Sequence, residues 1–172
     1  MVGCRVYWRP ITEQTQQGNF VATTLSEINS LSELQREVFG PVLQVLRYKR
    51  EKLDELIGAN NGTGYGLTFG LHTRLDETIE HVTRRIKAGN LYINRNTIGA
   101  VVGVQPFGGC GLSGTGPKAG GPLYMHRLIK NPAPPLPVGE VELKGPVGER
   151  NLYALHPRGR VLCIARTSPG LA

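Results

Sequence analysis

Between Phe39 and Asn94 the period of the apolar residues switches back and forth, and this restricts the fold more than any other feature of the chain. FGPVLQVLRYK opens on a Gly-Pro bend and runs on as a mostly apolar stretch ending in charge, which predicts a buried strand. EKLDELIGANNG places Leu53, Leu56 and Ile57 at helical spacing. Gly58 and the run Asn60-Asn61-Gly62 are expected to end that helix, because Gly and Asn tolerate the left-handed cap. YGLTFGLHT predicts a second strand. RLDETIEHVTRRIKAGN is the strongest helical pattern, with Ile79, Val82 and Ile86 on one face. Its Asp76 and Glu77 come early and its Arg84, Arg85 and Lys87 late, as the helix dipole favours. LYIN then predicts a third strand. Strand–helix–strand–helix–strand is the signature of an α/β fold, a mostly parallel sheet covered by helices.

The flanks read differently. Residues 1–19 are polar and Gln-rich and are expected to be a poorly ordered edge. NFVATTL predicts a strand and SEINSLSELQRE a turn with a short helical piece. YMHRLIKN can begin a further helix. Residues 131–148 read as a Pro-rich, extended linker. Beyond them, ERNLYALHPRGRVLCIA contains two β-like runs around Pro157-Arg158-Gly159, a C-terminal β-hairpin segment within a truncated domain starting at 149–172.

The net charge of +7 raises the question of an anionic partner. The basic residues form no stripe, only a loose cluster at Arg150, Arg158, Arg160 and Arg166, which disfavours nucleic acid. No run reaches eighteen apolar residues, so no membrane span is expected. The N-terminus has no apolar core of a secretory signal. Cys4, Cys110 and Cys163 form no CxxC pair and do not cluster with histidines, which fits free thiols in a reducing, cytoplasmic setting with no metal site.

QPFGGCGLSGTGPKAGGP, residues 105–122, has seven glycines in eighteen residues. Gly109, Gly111 and Gly114 match GxGxxG, but a dinucleotide loop must leave a strand and enter a helix, and Gly116-Pro117 stands where the helix would begin. The run Gly114–Lys118 has the wrong spacing for a phosphate-binding loop. Cys110 reads as a bystander rather than a nucleophile, since no His or Asp lies near it in sequence. Glycine amides can also turn inward as a nest for a carboxylate or phosphate, and Gly120-Gly121-Pro122 beside Lys118 is such a candidate. On the residues alone this reading and a plain connecting loop stay equally open.

REVFGPV (36–42), NNGTGYGLTFGLHT (60–73), AGNLYINRN (88–96) and QPFGGCGLSGTG (105–116) resemble, in this order, the C-terminal half of an NAD-dependent aldehyde dehydrogenase. GAVVGVQPFGG with LSGTGPKAGGPLY is more specific. It resembles the glutamate-semialdehyde (pyrroline-5-carboxylate) dehydrogenase module of the bifunctional proline utilization A flavoenzymes. The resemblance covers residues 20–130 as catalytic domain. It implies oxidation of glutamate semialdehyde to glutamate in proline catabolism: a Cys thiolate attacks the aldehyde, hydride passes to NAD, and water hydrolyses the thioester. FAD would belong to a proline dehydrogenase module outside this chain. By position, Glu37 matches the carboxylate on the nicotinamide ribose and Phe39 the aromatic beside it. Phe107 matches the aldehyde tunnel, Gly120 and Gly121 the loop that holds the substrate carboxylate with Ser113 nearby, and Leu128 an apolar wall. The family's Gly-Gln-x-Cys nucleophile motif is absent, so no catalytic residue is assigned. The chain is expected to be a piece of a larger enzyme, inactive alone, partnered by the rest of that polypeptide and prone to homo-oligomerise. The alternatives are a piece of another aldehyde dehydrogenase and a non-catalytic interaction module.

Overall fold

The computed structural model describes residues 6–15, 17–114, 116–130, 139–157, 159–160 and 162. They divide into two compact units, Met1–Thr97 with Gly108–Gly116, and Ile98–Phe107 with Pro117–Ala172.

In the first unit, β1 (Val6–Trp8) runs antiparallel to β2 (Thr24–Ile28), and β2 runs parallel to β3 (Val42–Leu46). The edge expected to be poorly ordered therefore contains a strand. Val-Tyr-Trp favours extended backbone strongly enough to pair despite the polar sequence around it. The strand expected at NFVATTL forms later, at Thr24–Ile28, and ends on buried Ile28. A single 3-10 turn at Leu31–Glu33 follows, as SEINSLSELQRE suggested. Ser30 caps it, and Glu33 Oε1 accepts the Asn29 and Ser30 amides at 2.8 and 3.2 Å. β3 was expected to be buried, yet Leu43 is 60% exposed. It is an edge strand of the three, and no layer among the described residues covers its first half.

Helix α1 (Leu53–Gly62) continues through Gly58 rather than stopping there. Gly inside a helix costs about 1 kcal/mol, but burial of Ile57 next to it works the other way. Ile57, Val82 and Ile86 form the core of this unit, with Leu53, Phe69, Leu71 and Leu91 packed around them. After α1 come β4 (Tyr65–Gly66) and β5 (Thr68–Leu71), then α2 (Asp76–Thr83) and β6 (Asn90–Ile93). β5 and β6 pair in parallel from Thr68↔Asn90 to Leu71↔Ile93. This is the strand–helix–strand unit expected from the sequence. Ile86 lies past the end of α2, where its amide still bonds the Val82 carbonyl at 2.9 Å. β7 (Cys110–Gly111) pairs antiparallel with β4. The α/β class stands, with the strands distributed over separate parallel and antiparallel ladders rather than one continuous sheet.

In the second unit, YMHRLIKN yields only a 3-10 turn at Met125–Arg127. The hairpin expected around Pro157-Arg158-Gly159 falls largely outside the described residues, and its first run forms a hairpin with an earlier segment. β8 (Glu140–Leu143), inside the stretch read as linker, pairs antiparallel with β9 (Asn151–Ala154). The Gly-Pro-Val-Gly sequence between them provides the bend. The second β-like run expected, after Pro157, lies largely outside the described residues. No helix among the described residues is long and apolar enough to cross a membrane.

Candidate functional site

The expected site residues fall in both units. In the first, Glu37 and Phe39 sit on the irregular segment before β3. Both are exposed, and the Phe39 ring is 89% accessible. Ser113 is also here, and its Oγ accepts the Gly66 amide at 3.0 Å, so the hydroxyl joins the end of β4 to the turn after β7.

That turn explains much of the glycine density. A Cβ on Gly109 would approach the Ser113 carbonyl oxygen to 2.6 Å, and one on Gly114 would approach the Gly109 carbonyl oxygen to 2.7 Å. GxGxxG therefore serves close backbone packing between β7 and its turn, and among the described residues no α-helix follows it. Cys110 is an exposed free thiol whose Sγ donates to the Gly66 carbonyl at 3.7 Å. No triad of metal-ligating side chains occurs among the described residues.

In the second unit, Phe107 and Ala119 form an antiparallel bridge, Phe107 N to Ala119 O at 3.0 Å and the reverse at 2.9 Å. The bridge holds a tight turn. Gly121 N donates to Lys118 O at 3.1 Å, and Gly120, third of the four residues, has φ +70°. A positive φ at that position is what a type II turn requires, and glycine adopts it without strain. Gly120 is exposed and its N–H donates to no atom among the described residues, whereas the Gly121 N–H is used by the turn. The left-handed residue is thus Gly120, not Gly121. Gly121 is restricted by contact instead, since a Cβ there would lie 3.0 Å from the Lys118 carbonyl oxygen and 3.2 Å from the Pro106 Cβ. Leu128 follows the 3-10 turn and is 69% exposed.

An open depression of about 520 Å³ adjoins this turn, lined by Pro106, Gly120, Gly121, Val141, Leu143 and Tyr153 among others. Tyr153 is buried, and burial raises its phenol above the ordinary value. No local pattern in the sequence connects β8 and β9 with the glycine turn, because that contact joins segments about twenty or more residues apart.

A strand–helix–strand unit with a second, antiparallel pair closing its glycine-rich turn defines an α/β scaffold. The chain belongs to the aldehyde dehydrogenase family, whose pattern matches residues 2–131. Within that family it is 54% identical to the bifunctional protein PutA of Rhizobium meliloti, over 99% of this chain and 17% of the relative. It is 41% identical to the 1-pyrroline-5-carboxylate dehydrogenase of Bacillus subtilis strain 168, over 63% of this chain and 21% of the relative. A solved variant of proline utilization A from Bradyrhizobium japonicum superposes with a TM-score of 0.64 at 55% identity, covering 69% of this chain and 12% of that one. The chain thus spans under a fifth of the length of the PutA relative.

Proposed function

We propose that this chain forms the carboxylate-binding and ribose-binding portion of a cytoplasmic L-glutamate γ-semialdehyde dehydrogenase, working with polypeptide outside it. The observation that carries the reading is the Lys118–Gly121 turn, with its exposed, unengaged Gly120 amide and the Phe107–Ala119 bridge that fixes it. An amide presented in this way is a donor for a substrate carboxylate, and such charge-assisted bonds are the stronger ones. The kinship with a 1-pyrroline-5-carboxylate dehydrogenase and with PutA supports that substrate.

In this reading the Gly120 amide holds the carboxylate end of glutamate semialdehyde, Gly121 closes the turn that presents it, Phe107 and Leu128 line its apolar path, and Ser113 fixes the loop between β7 and Gly114. Glu37 and Phe39 fit a dinucleotide: they lie two residues apart, both open to solvent, with a carboxylate able to accept from a diol and a ring able to pack on a flat group. NAD, when bound, supplies the hydride acceptor. With it bound, Glu37 would accept from the ribose hydroxyls and Phe39 would shield the adjoining ring from water. The thiolate that attacks the aldehyde and the base that activates water come from the rest of the enzyme.

The chain alone is expected to reduce no NAD with glutamate semialdehyde. Activity is expected when the polypeptide bearing the family's Gly-Gln-x-Cys segment is added, with Cys110→Ser as active as the parent. Turnover by the chain alone that Cys110→Ala abolishes would contradict the assignment.

A further inference from the structure

The hairpin β8–β9 lies past residue 131, where the family pattern ends, yet within the 99% of the chain that the PutA relative matches. It is therefore an addition to the family scaffold shared with a bifunctional relative. Its register gives it two faces. Val141↔Tyr153 and Leu143↔Asn151 are directly opposed and share one side, while Glu142↔Leu152 lies on the other. On the second side Arg150 Nε pairs with Glu142 at 3.3 Å in solvent. On the first, Val141, Leu143 and Tyr153 wall the depression that Gly120 and Gly121 border.

Asn151 adds a polar tie to this face. Its Oδ1 accepts from Gln105 Nε2 at 2.6 Å, and Glu149 Oε2 accepts from the same nitrogen at 3.3 Å. The other end of the Gln105 amide is also fixed, with Oε1 accepting the Val101 amide at 2.9 Å. Gln105 directly precedes Pro106, which packs against Gly121, and Phe107, which is bridged to Ala119. The path from Asn151 to the glycine turn is thus one side-chain hydrogen bond followed by two residues of chain, the second bridged to Ala119. We propose that Gln105 and Asn151 are a positioning pair through which the C-terminal hairpin sets the Gly120–Gly121 turn and so tunes its grip on the substrate carboxylate. The carboxylate part rests on the function proposed above; the positioning part does not.

The test uses Asn151→Leu, which removes the acceptor, and Asn151→Asp, which keeps an oxygen facing Gln105. Gly145→Ala is a second way to break the pair, since a Cβ there would displace the Asn151 amide without altering Gln105 or Asn151. The amide NMR signals of Gly120 and Gly121 are followed in the 172-residue chain, and steady-state kinetics in the full-length polypeptide that contains it. Asn151→Leu and Gly145→Ala are expected to move both glycine signals. They are also expected to raise KM for glutamate semialdehyde roughly three- to tenfold, the range one hydrogen bond commands, with kcat little altered. Propionaldehyde, which has no carboxylate, is expected to lose little, and Asn151→Asp to recover most of the effect. Unmoved glycine signals with unchanged KM would overturn the proposal. So would equal losses for the two aldehydes with no recovery in Asn151→Asp, since the hairpin would then be a general prop. If Gly121→Ala itself harms both aldehydes equally, the carboxylate reading fails, and the glycine signals in Asn151→Leu still decide whether the hairpin sets the turn.

Discussion

Asn94 alone among the described non-glycine residues has a positive φ, +55°. Its side chain offsets the strain. Oδ1 accepts the Thr73 amide and Nδ2 donates to the Thr73 carbonyl, both at 3.0 Å, so the ends of β5 and β6 are tied together. Asn94→Ala removes both bonds and leaves a Cβ residue in left-handed backbone, for a loss of about 2–4 kcal/mol. Asn94→Gly removes the bonds but relieves the strain, so chemical denaturation is expected to rank it between Ala and the parent. Equal losses would mean that the backbone conformation carries no cost. Tyr153 makes a second case at this scale. Burial raises its pKa above the ordinary 10.0, so the folded state favours the neutral phenol. Its contribution is complete below pH 10 and is lost as the pH climbs through the raised value. Tyr92 adds to the same limb: burial raises it, against the opposing effects of Arg95 and the neighbouring Asn90 side chain. Stability is therefore expected to fall above pH 10, and less steeply in Tyr153→Phe. An alkaline limb unchanged in that variant would refute the role of Tyr153.

Helices α1 and α2 depend on one another through apolar contact and through Asn61. Asn61 Oδ1 accepts the Lys87 amide and Nδ2 donates to the Arg85 carbonyl, each at 2.8 Å. Asn61→Ala leaves both backbone groups to partial solvent and is expected to cost about 1–3 kcal/mol in a denaturant titration. A change within error would assign the helix pairing to the apolar contacts of Ile57, Val82 and Ile86 and to the pair of Asp54 on α1 with His81 on α2. This residue also shows where sequence reading stops. The run Asn60-Asn61-Gly62 was legible as a helix end, because backbone preference is local. That Asn61 holds a segment 24 residues away was not, because nothing in a local pattern specifies a long-range hydrogen bond. The same division applies elsewhere. Strand and helix types from β3 to β6 followed from apolar period. The exposure of β3 and the pairing of β8 with β9 did not, since both depend on which elements meet.

At the scale of the molecule, the first unit leaves Trp8, Phe20, Val21, Phe39 and Leu43 more than half exposed, which is apolar surface suited to a protein partner. Glu37, Phe39, Phe107, Ser113, Gly120, Gly121 and Leu128 were named in the sequence through family motifs, and each motif marks a position without its backbone geometry. The motif gives the two glycines one shared role, whereas the backbone separates them: Gly120 carries the left-handed φ and Gly121 the tight contacts. The hairpin wall beside them was invisible because it lies beyond the family pattern.

The central claim, that this turn holds a substrate carboxylate, is tested most directly by one ratio. In the full-length enzyme, kcat/KM for glutamate semialdehyde is divided by kcat/KM for propionaldehyde, in the parent and in Gly121→Ala. The added Cβ presses on the Lys118 carbonyl and Pro106, and the adjustment this requires is expected to shift the turn that presents the Gly120 amide. Loss of a charge-assisted bond of about 1.5–3 kcal/mol lowers the ratio roughly tenfold or more. A ratio equal to that of the parent, whatever the absolute rates, would contradict the claim and leave the turn a purely structural link.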